Sequence, residues 1–414
     1  MISPSLCIKC KGKLLCGMNY CPLLEKHSAH ARVAKAIKGN EFSGNSPPGV
    51  FVSWYSYPKI SVAPLSPPSL ENNAGMLDAP EQWFGLPQEK IINFRQSLIR
   101  SSKKFSAADA SNPQQALQSI QELTMSIAPV QVEVSLLKKP ALKNSFHDIV
   151  APMGPQAPLK KLSLSENPKI HKKVDYLNAD IDAKAQTAVM ELYSSGLPVS
   201  FLHKLLSAGT LGVQKARKLV PTRWSITAVD SNISKHLIEE KVKQFSQLGE
   251  IRLFHSNYLD NDFWVLLYPG EWSFEQLESY LPGGTWTEGA AKHHMMQDHE
   301  FYSGRKTYAS NVAGAYYSAR LAVAEYLVRE KRQASAIVFR EIGSGYTLPL
   351  GVWQIRENVR HALQQKPLAF SDFALALAFL GRKLQVPIKQ YERESMLLDR
   401  LKHQRRLKDF EQNN

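Results

Sequence analysis

The chain has 414 residues, 43% hydrophobic and 21% charged, with 51 Lys and Arg against 37 Asp and Glu for a net charge of +14. That length exceeds what one hydrophobic core organises, which predicts two folded domains plus appendages, and the composition excludes a wholly disordered chain. The most apolar run, Phe373 to Leu380, is too short to cross a bilayer and is followed by Arg382 and Lys383, so it predicts a buried helix and no membrane span. The N-terminus carries Cys and Lys where an export signal needs a continuous apolar run, which predicts a protein of the reducing cytoplasm. The basic excess favours polyanionic partners through counterion release, although many basic proteins bind nothing acidic.

All four cysteines lie at the start of the chain, as Cys7, Cys10, Cys16 and Cys21 in the spacing C-x2-C-x5-C-x4-C. Two thiolates two residues apart grip one ion from a tight turn, and a second pair closes the tetrahedron, so residues 1–30 are predicted to form a four-cysteine zinc module. An iron–sulfur cluster is the alternative use of four thiolates, whereas disulfides suit an oxidising compartment.

Beyond the cysteines, residues 28–38 read as helical, and 50–52 and 57–64 as short strands interrupted by prolines. Helices are predicted over 86–99 and 114–125, and the alternation of Val130 to Leu136 predicts a strand. Residues 139–173, dense in Pro, Lys and Ser, read as a long loop. Helices follow over 181–193 and 201–206. The run Trp224 to Val229 reads as a strand, with Asp230 or Ser231 capping a helix that carries Ile233, Leu237, Val242 and Phe245 on one face. Ile251 to Tyr258 and Phe263 to Tyr268 predict a hairpin. Ser273 and Gln276 have capping-box spacing for a short helix ending near Leu281, and a domain boundary is placed at 285–297. A helix over 312–329, a strand over 336–342 and a helix over 352–363 complete the pattern.

Three interior groups carry candidate chemistry. Arg217, Arg223 and Trp224, with Asp230 nearby, combine guanidinium forks for phosphate with a ring for a base; an internal Arg–Asp pair is the structural alternative. Trp353, Arg356 or Glu357, and Arg360 recur at helical spacing on one side of a helix, and with Arg320 and one of Arg340 and Glu341, which occupy opposite faces of the preceding strand, they suit a phosphate or an oriented carboxylate, or else a salt-bridge network. His293, His294, Asp298, His299 and Glu300 concentrate metal-ligand types, with His294 and Asp298 on one face if helical, but no ligand signature fits and a polar interdomain segment is the favoured reading. No P-loop, dinucleotide fingerprint or nucleophile motif is present, so no reaction is assigned.

The cysteine segment with Cys16-Gly17 and Tyr20-Cys21-Pro22, Tyr57-Pro58-Lys59, Asn167-Pro168-Lys169, Leu211-Gly212 and above all the run Arg217 to Asp230 resemble the archaeal Nre family of DNA repair proteins. The match continues through Tyr316 to Arg320, Arg340-Glu341-Ile342, Pro349 to Trp353 and Arg356 to Arg360. The resemblance implies DNA repair and recruitment to the sliding clamp PCNA by a C-terminal peptide. Here Gln404, Leu407 and Phe410 stand at that peptide's positions, and Glu411 replaces its second aromatic, which implies weaker docking. The expected architecture is α+β: the zinc module over 1–30, a large mixed domain over 31–290, a smaller α/β domain over 295–395, and a flexible basic tail over 396–414. The expected partners are DNA and the clamp, with no membrane. A nucleic-acid- or nucleotide-processing enzyme using the Arg and Glu constellation, or a non-catalytic repair adaptor, are the alternative functions.

Overall fold

The computed structural model describes residues 41–140, 153–284, 286–287 and 293–403, with individual positions among the first 40, Cys10 and Cys21 included. The chain forms two compact units, Ile2–Ile233 with Leu348–Gln354, and Ser234–Thr347 with Ile355–Asn414. Each unit carries a six-stranded mixed sheet, so the α+β class holds.

The first unit runs β1 (Glu41–Ser46), β2 (Val50–Val52), β3 (Lys59–Ser66), α1 (Gln88–Gln96), β4 (Ile99–Ser106), α2 (Gln115–Met125), β5 (Val130–Leu136), β6 (Gln156–Leu164), α3 (Lys172–Ala179), α4 (Ala185–Ser194), α5 (Val199–Ser207) and the start of α6 (Thr222–Glu240). Its sheet order is β1-β5-β6-β4-β3-β2, with only β4 and β6 parallel. Strand β5 points Val130, Val132, Val134 and Leu136 into the core and Gln131 and Glu133 to solvent, as alternation demands. Helix α2 closes that core with Leu117, Ile120 and Leu123 at helical spacing, and Val33 and Ile37 join it. Gly44 in β1 admits no side chain, because a Cβ there would lie 2.1 Å from the Pro67 carbonyl oxygen.

Two expectations fail in this unit. The stretch read as a long loop contains β6, which pairs with both β5 and β4 in the interior of the sheet. The run Trp224 to Val229 is helical, inside α6, because burial follows a four-residue step through Ser225, Val229, Ile233 and Leu237 that outweighs the β-propensity of Trp, Ile, Thr and Val.

The second unit continues with β7 (Ile251–Tyr258), β8 (Asn261–Tyr268), β9 (Ser273–Tyr280), β10 (His294–Glu300), α7 (Gly314–Glu330), β11 (Ser335–Ile342), α8 (Trp353–Ala362, from Ile355 on), β12 (Leu368–Phe370), α9 (Phe373–Gly381), α10 (Ile388–Glu394) and α11 (Met396–His403). The sheet order is β10-β9-β11-β8-β7-β12, with β9 and β11 parallel. The predicted hairpin is β7–β8, turned by Leu259 and Asp260, both at positive φ. Trp264, Leu266, Leu277, Ile337 and Phe339 of the sheet pack against Leu377, Leu380, Leu397 and Leu398.

Ser273 to Tyr280, predicted as a helix, is strand β9, and its glutamates and glutamine are buried along with its apolar residues. The stretch 285–297, where a domain boundary is expected, runs from beyond β9 into the first half of β10, which pairs with β9. Helix α9 is not the buried helix expected, since Leu375 is 61% exposed while Ala376, Leu377 and Leu380 face the core. Among the described residues no helix is long and apolar enough to cross a membrane.

Candidate nucleic-acid interface

The residues singled out in the second unit separate into distinct ion-pair groups. Arg320 binds Glu300 at 2.7 Å and the Ser234 hydroxyl at 3.2 Å. Arg340 binds Glu278 at 2.7 Å and donates twice to Asn261 Oδ1, at 2.9 and 2.6 Å. Burial alone would lower the Arg340 pKa, but the Glu278 carboxylate beside it leaves it raised. Glu341 accepts the amide N–H groups of Gln385 and Val386, each at 2.8 Å, and the Tyr391 hydroxyl at 3.1 Å, while burial pushes its carboxyl upward. Arg360 forks onto Glu325 at 2.7 and 2.8 Å and reaches Glu357 at 2.8 Å, and the fully buried Arg356 lies 3.5 Å from the same Glu357 oxygen. These groups brace the sheet and its helices, which is the salt-bridge alternative.

Of this set only Glu341 lines the cavity of about 350 Å³ at the β7–β8 turn, with His255, Asp262, Trp264 and Lys383 among its neighbours. Burial works against ionisation of Asp262, but hydrogen bonds from His255, Asn257 and Trp264 outweigh it and hold its pKa down. The Glu341 and Asp262 carboxylates are thereby committed to the protein.

The histidine-rich segment is strand β10, not a helix, so His294 and Asp298 are not one helical turn apart. Asp298 pairs with Arg305 at 3.1 Å and accepts the Val312 N–H at 2.8 Å, while Glu300 holds Arg320 and the Trp272 indole. His299 is depressed by burial and by Arg305. Among the described residues no three such side chains gather within reach of a metal ion.

In the first unit the candidates part company. Arg217 spends its guanidinium on the carbonyls of Gly212, Asn178 and Asp180 at 2.8 to 3.0 Å, stapling the loop before α6 to the end of α3. Asp230 is fully buried and meets His203 of α5 at 3.2 Å, which anchors α6 internally. Arg223 and Trp224 remain on the surface, in the first turn of α6.

Their position follows from Thr222, whose hydroxyl accepts the Val52 N–H at 2.8 Å and lies 3.3 Å from the Ser207 hydroxyl. This ties the start of α6 to the end of β2, where the chain turns through Trp54-Tyr55-Ser56-Tyr57-Pro58 into β3. The turn is held by the Lys59 N–H to the Ser56 carbonyl at 2.9 Å, the Tyr55 N–H to Ser53 Oγ at 3.2 Å, and positive φ at Ser56. Trp54 stacks on Tyr55 with centroids 4.7 Å apart, Tyr57 packs against Trp224 at 5.2 Å, and the Arg223 guanidinium lies 5.7 Å from the Trp54 ring centre. Tyr55 is 59% exposed, Trp224 48% and Tyr57 42%. Exposed lysines follow on one face of the sheet, Lys59 after the turn and Lys104 opposite Ser61 across β3–β4, whereas Lys103, paired with Val62, is exposed on the other face.

Sequence reasoning singled out Tyr57-Pro58-Lys59 and Arg223-Trp224 separately but missed Trp54 and Tyr55. Their signal is the concentration of aromatic residues in a Pro-, Ser- and Gly-rich stretch, which has no helix or strand period to bury them.

At the N-terminus, Cys10 is buried, its carbonyl accepts the Lys13 N–H at 2.8 Å, its Sγ accepts the Leu15 N–H at 3.2 Å, and Leu14 takes a positive φ. A tight turn that aims an amide at sulfur suits a metal-bound thiolate, so Cys10 fits the expected zinc, and neither Cys10 nor Cys21 is in a disulfide. Cys7, Cys16 and the tail residues Gln404, Leu407 and Phe410 lie outside the described residues.

Comparison with known proteins places these features in a family. The profile of the N-terminal region of archaeal Nre proteins matches residues 15–287, and that of the C-terminal region matches residues 300–410. The DNA repair protein NreB of Archaeoglobus fulgidus is 39% identical over 394 residues, covering 95% of this chain and 97% of the relative. The DNA repair protein NreA of the same organism is 39% identical over 380 residues, 92% and 94% of the two chains. The DNA repair protein NreA of Haloferax volcanii is 34% identical over 372 residues, 88% of each. No solved structure matches the chain. The chain belongs to the archaeal Nre family of DNA repair proteins.

Proposed function

We propose that this protein acts in DNA repair by gripping DNA with the aromatic and basic face of its first unit, and that a C-terminal peptide brings it to the sliding clamp. The observation that carries the DNA contact is the surface cluster of Tyr55, Tyr57 and Trp224 with Arg223, continued by Lys59 and Lys104 on one face of the strands that follow. Cations beside open rings complement phosphate and base together, which is the usual composition of a nucleic-acid surface. The start of α6 adds the positive end of the helix dipole, with the Trp224 and Ser225 N–H groups bonded to the Pro221 carbonyl at 2.8 and 2.9 Å.

For the clamp, Gln404, Leu407 and Phe410 are the anchors, with Glu411 in place of the second ring. Cys7, Cys10, Cys16 and Cys21 hold one zinc ion, which supplies a structural cross-link and no redox chemistry. The Arg and Glu constellation of the second unit is internal bracing, so this reading assigns it no catalysis.

The test is DNA binding by the full-length protein at low salt, before and after Arg223→Glu combined with Lys104→Glu. Loss of binding at unchanged melting temperature supports the interface; undiminished binding rejects it. Deleting residues 404–414 should abolish capture by the clamp and leave DNA binding by the body in place. Elemental analysis of the reduced protein should find zinc at one equivalent.

A further inference from the structure

Resting on the DNA-binding reading above, the form of DNA is set by what the rings of the first unit offer. We infer that this surface takes unpaired nucleotides, stacking bases on Tyr55, Tyr57 and Trp224 while Arg223 and the first turn of α6 receive the adjoining phosphate. Duplex DNA presents phosphates and groove edges and keeps its base faces stacked inside, so an exposed ring on the protein gains little from it. The face of an aromatic ring is negative and does not attract phosphate. Exposed rings among cations therefore complement a strand whose bases are free to turn outward.

The rings are also arranged for this use. Trp54, flanked by Tyr55 at 4.7 Å and by Arg223 at 5.7 Å, is the less exposed support, and it leaves the outer rings to the ligand. Tyr57 and Trp224 come from segments far apart in sequence, yet the bond from the Val52 N–H to Thr222 Oγ1 brings them into contact at 5.2 Å. Arg223 precedes Trp224 on the helix, so a base on the indole places its own phosphate within reach of the guanidinium at the positive end of the helix dipole. Tyr and Trp lose few rotamers on binding, which keeps the cost of ordering them low.

The experiment compares a fluorescent oligothymidylate with a duplex of the same length, at matched salt, on full-length wild-type protein and on Tyr55→Ala, Trp224→Ala and Trp224→Phe. Tighter binding of the single strand, with quenched tryptophan fluorescence, is expected. Each alanine variant should weaken single-strand binding by roughly tenfold, Trp224→Phe should restore most of it, and duplex binding should not change. Circular dichroism and melting of the variants should match wild type, because both rings are exposed. Duplex affinity equal to that of the single strand, with alanine variants neutral, would overturn this inference and leave the DNA-binding reading intact. Absence of binding to either form at low salt would overturn both.

Discussion

Glu275 lies buried in β9, where its carboxylate accepts the Ser395 hydroxyl and the amide N–H groups of Met396 and Leu397 at the start of α11. Burial dominates these hydrogen bonds and lifts its pKa from 4.5 to about 7. The native state then keeps a proton that the unfolded chain releases, so the stability from this group is complete below 4.5 and is lost as the pH rises through about 7. At 1.36 kcal/mol for each pKa unit the span is about 3 kcal/mol. Glu275→Gln fixes the neutral form, so in urea titrations wild type should lose about this much relative to the variant as the pH climbs through that window; parallel curves would refute it. Arg340 poses the opposite case, a buried cation with its anion in place. Glu278→Ala strands the guanidinium beside Asn261 and should cost about 3 to 5 kcal/mol. Glu271→Ala, which breaks the solvent-exposed pair with Arg400, should cost less than about 1 kcal/mol in the same denaturation assay.

Helix α6 shows how one contact between elements sets the surface. The Thr222 hydroxyl is the acceptor for the Val52 N–H, and Thr222→Val keeps the shape while leaving that donor unmet. A loss of about 1 to 3 kcal/mol is expected in unfolding free energy, with weaker DNA binding because Arg223 and Trp224 shift from the β2–β3 turn. Unchanged DNA affinity in a destabilised variant would show that this tie does not position the pair. The same helix marks the limit of what was legible in the sequence. The alternation of β5, the β7–β8 hairpin and strand β11 were readable because their periods and turn residues are local. In α6 the buried face includes Ser225, Asp230 and Ser234, polar residues that hide a helical stripe behind an apparent strand. Strand β9 failed in the other sense. Its Glu275 and Glu278 find partners at Ser395 and Arg340, far along the chain, and nothing local announces that such carboxylates are buried. The surface around Trp224 was half visible for the same reason, since its contact with Tyr57 is made by the tertiary fold.

For the whole molecule, the net charge of +14 admits two ways of holding DNA, a diffuse positive surface or a local one. Salt dependence separates them, because each phosphate neutralised on a single strand contributes about 0.7 to the slope of log K against log salt. If Arg223, Lys59 and Lys104 make the phosphate contacts, the slope for oligothymidylate should be about −2. Arg223→Gln should then make it shallower by about 0.7. Trp224→Ala should weaken binding at every salt concentration and leave the slope unchanged, because a stacked ring displaces no counterion from the backbone. Were the affinity diffuse, removing one guanidinium out of 51 basic residues would hardly alter the slope, and the ring would not matter. A slope that responds to Arg223 and an intercept that responds to Trp224 together require phosphate and base to meet the protein at one place.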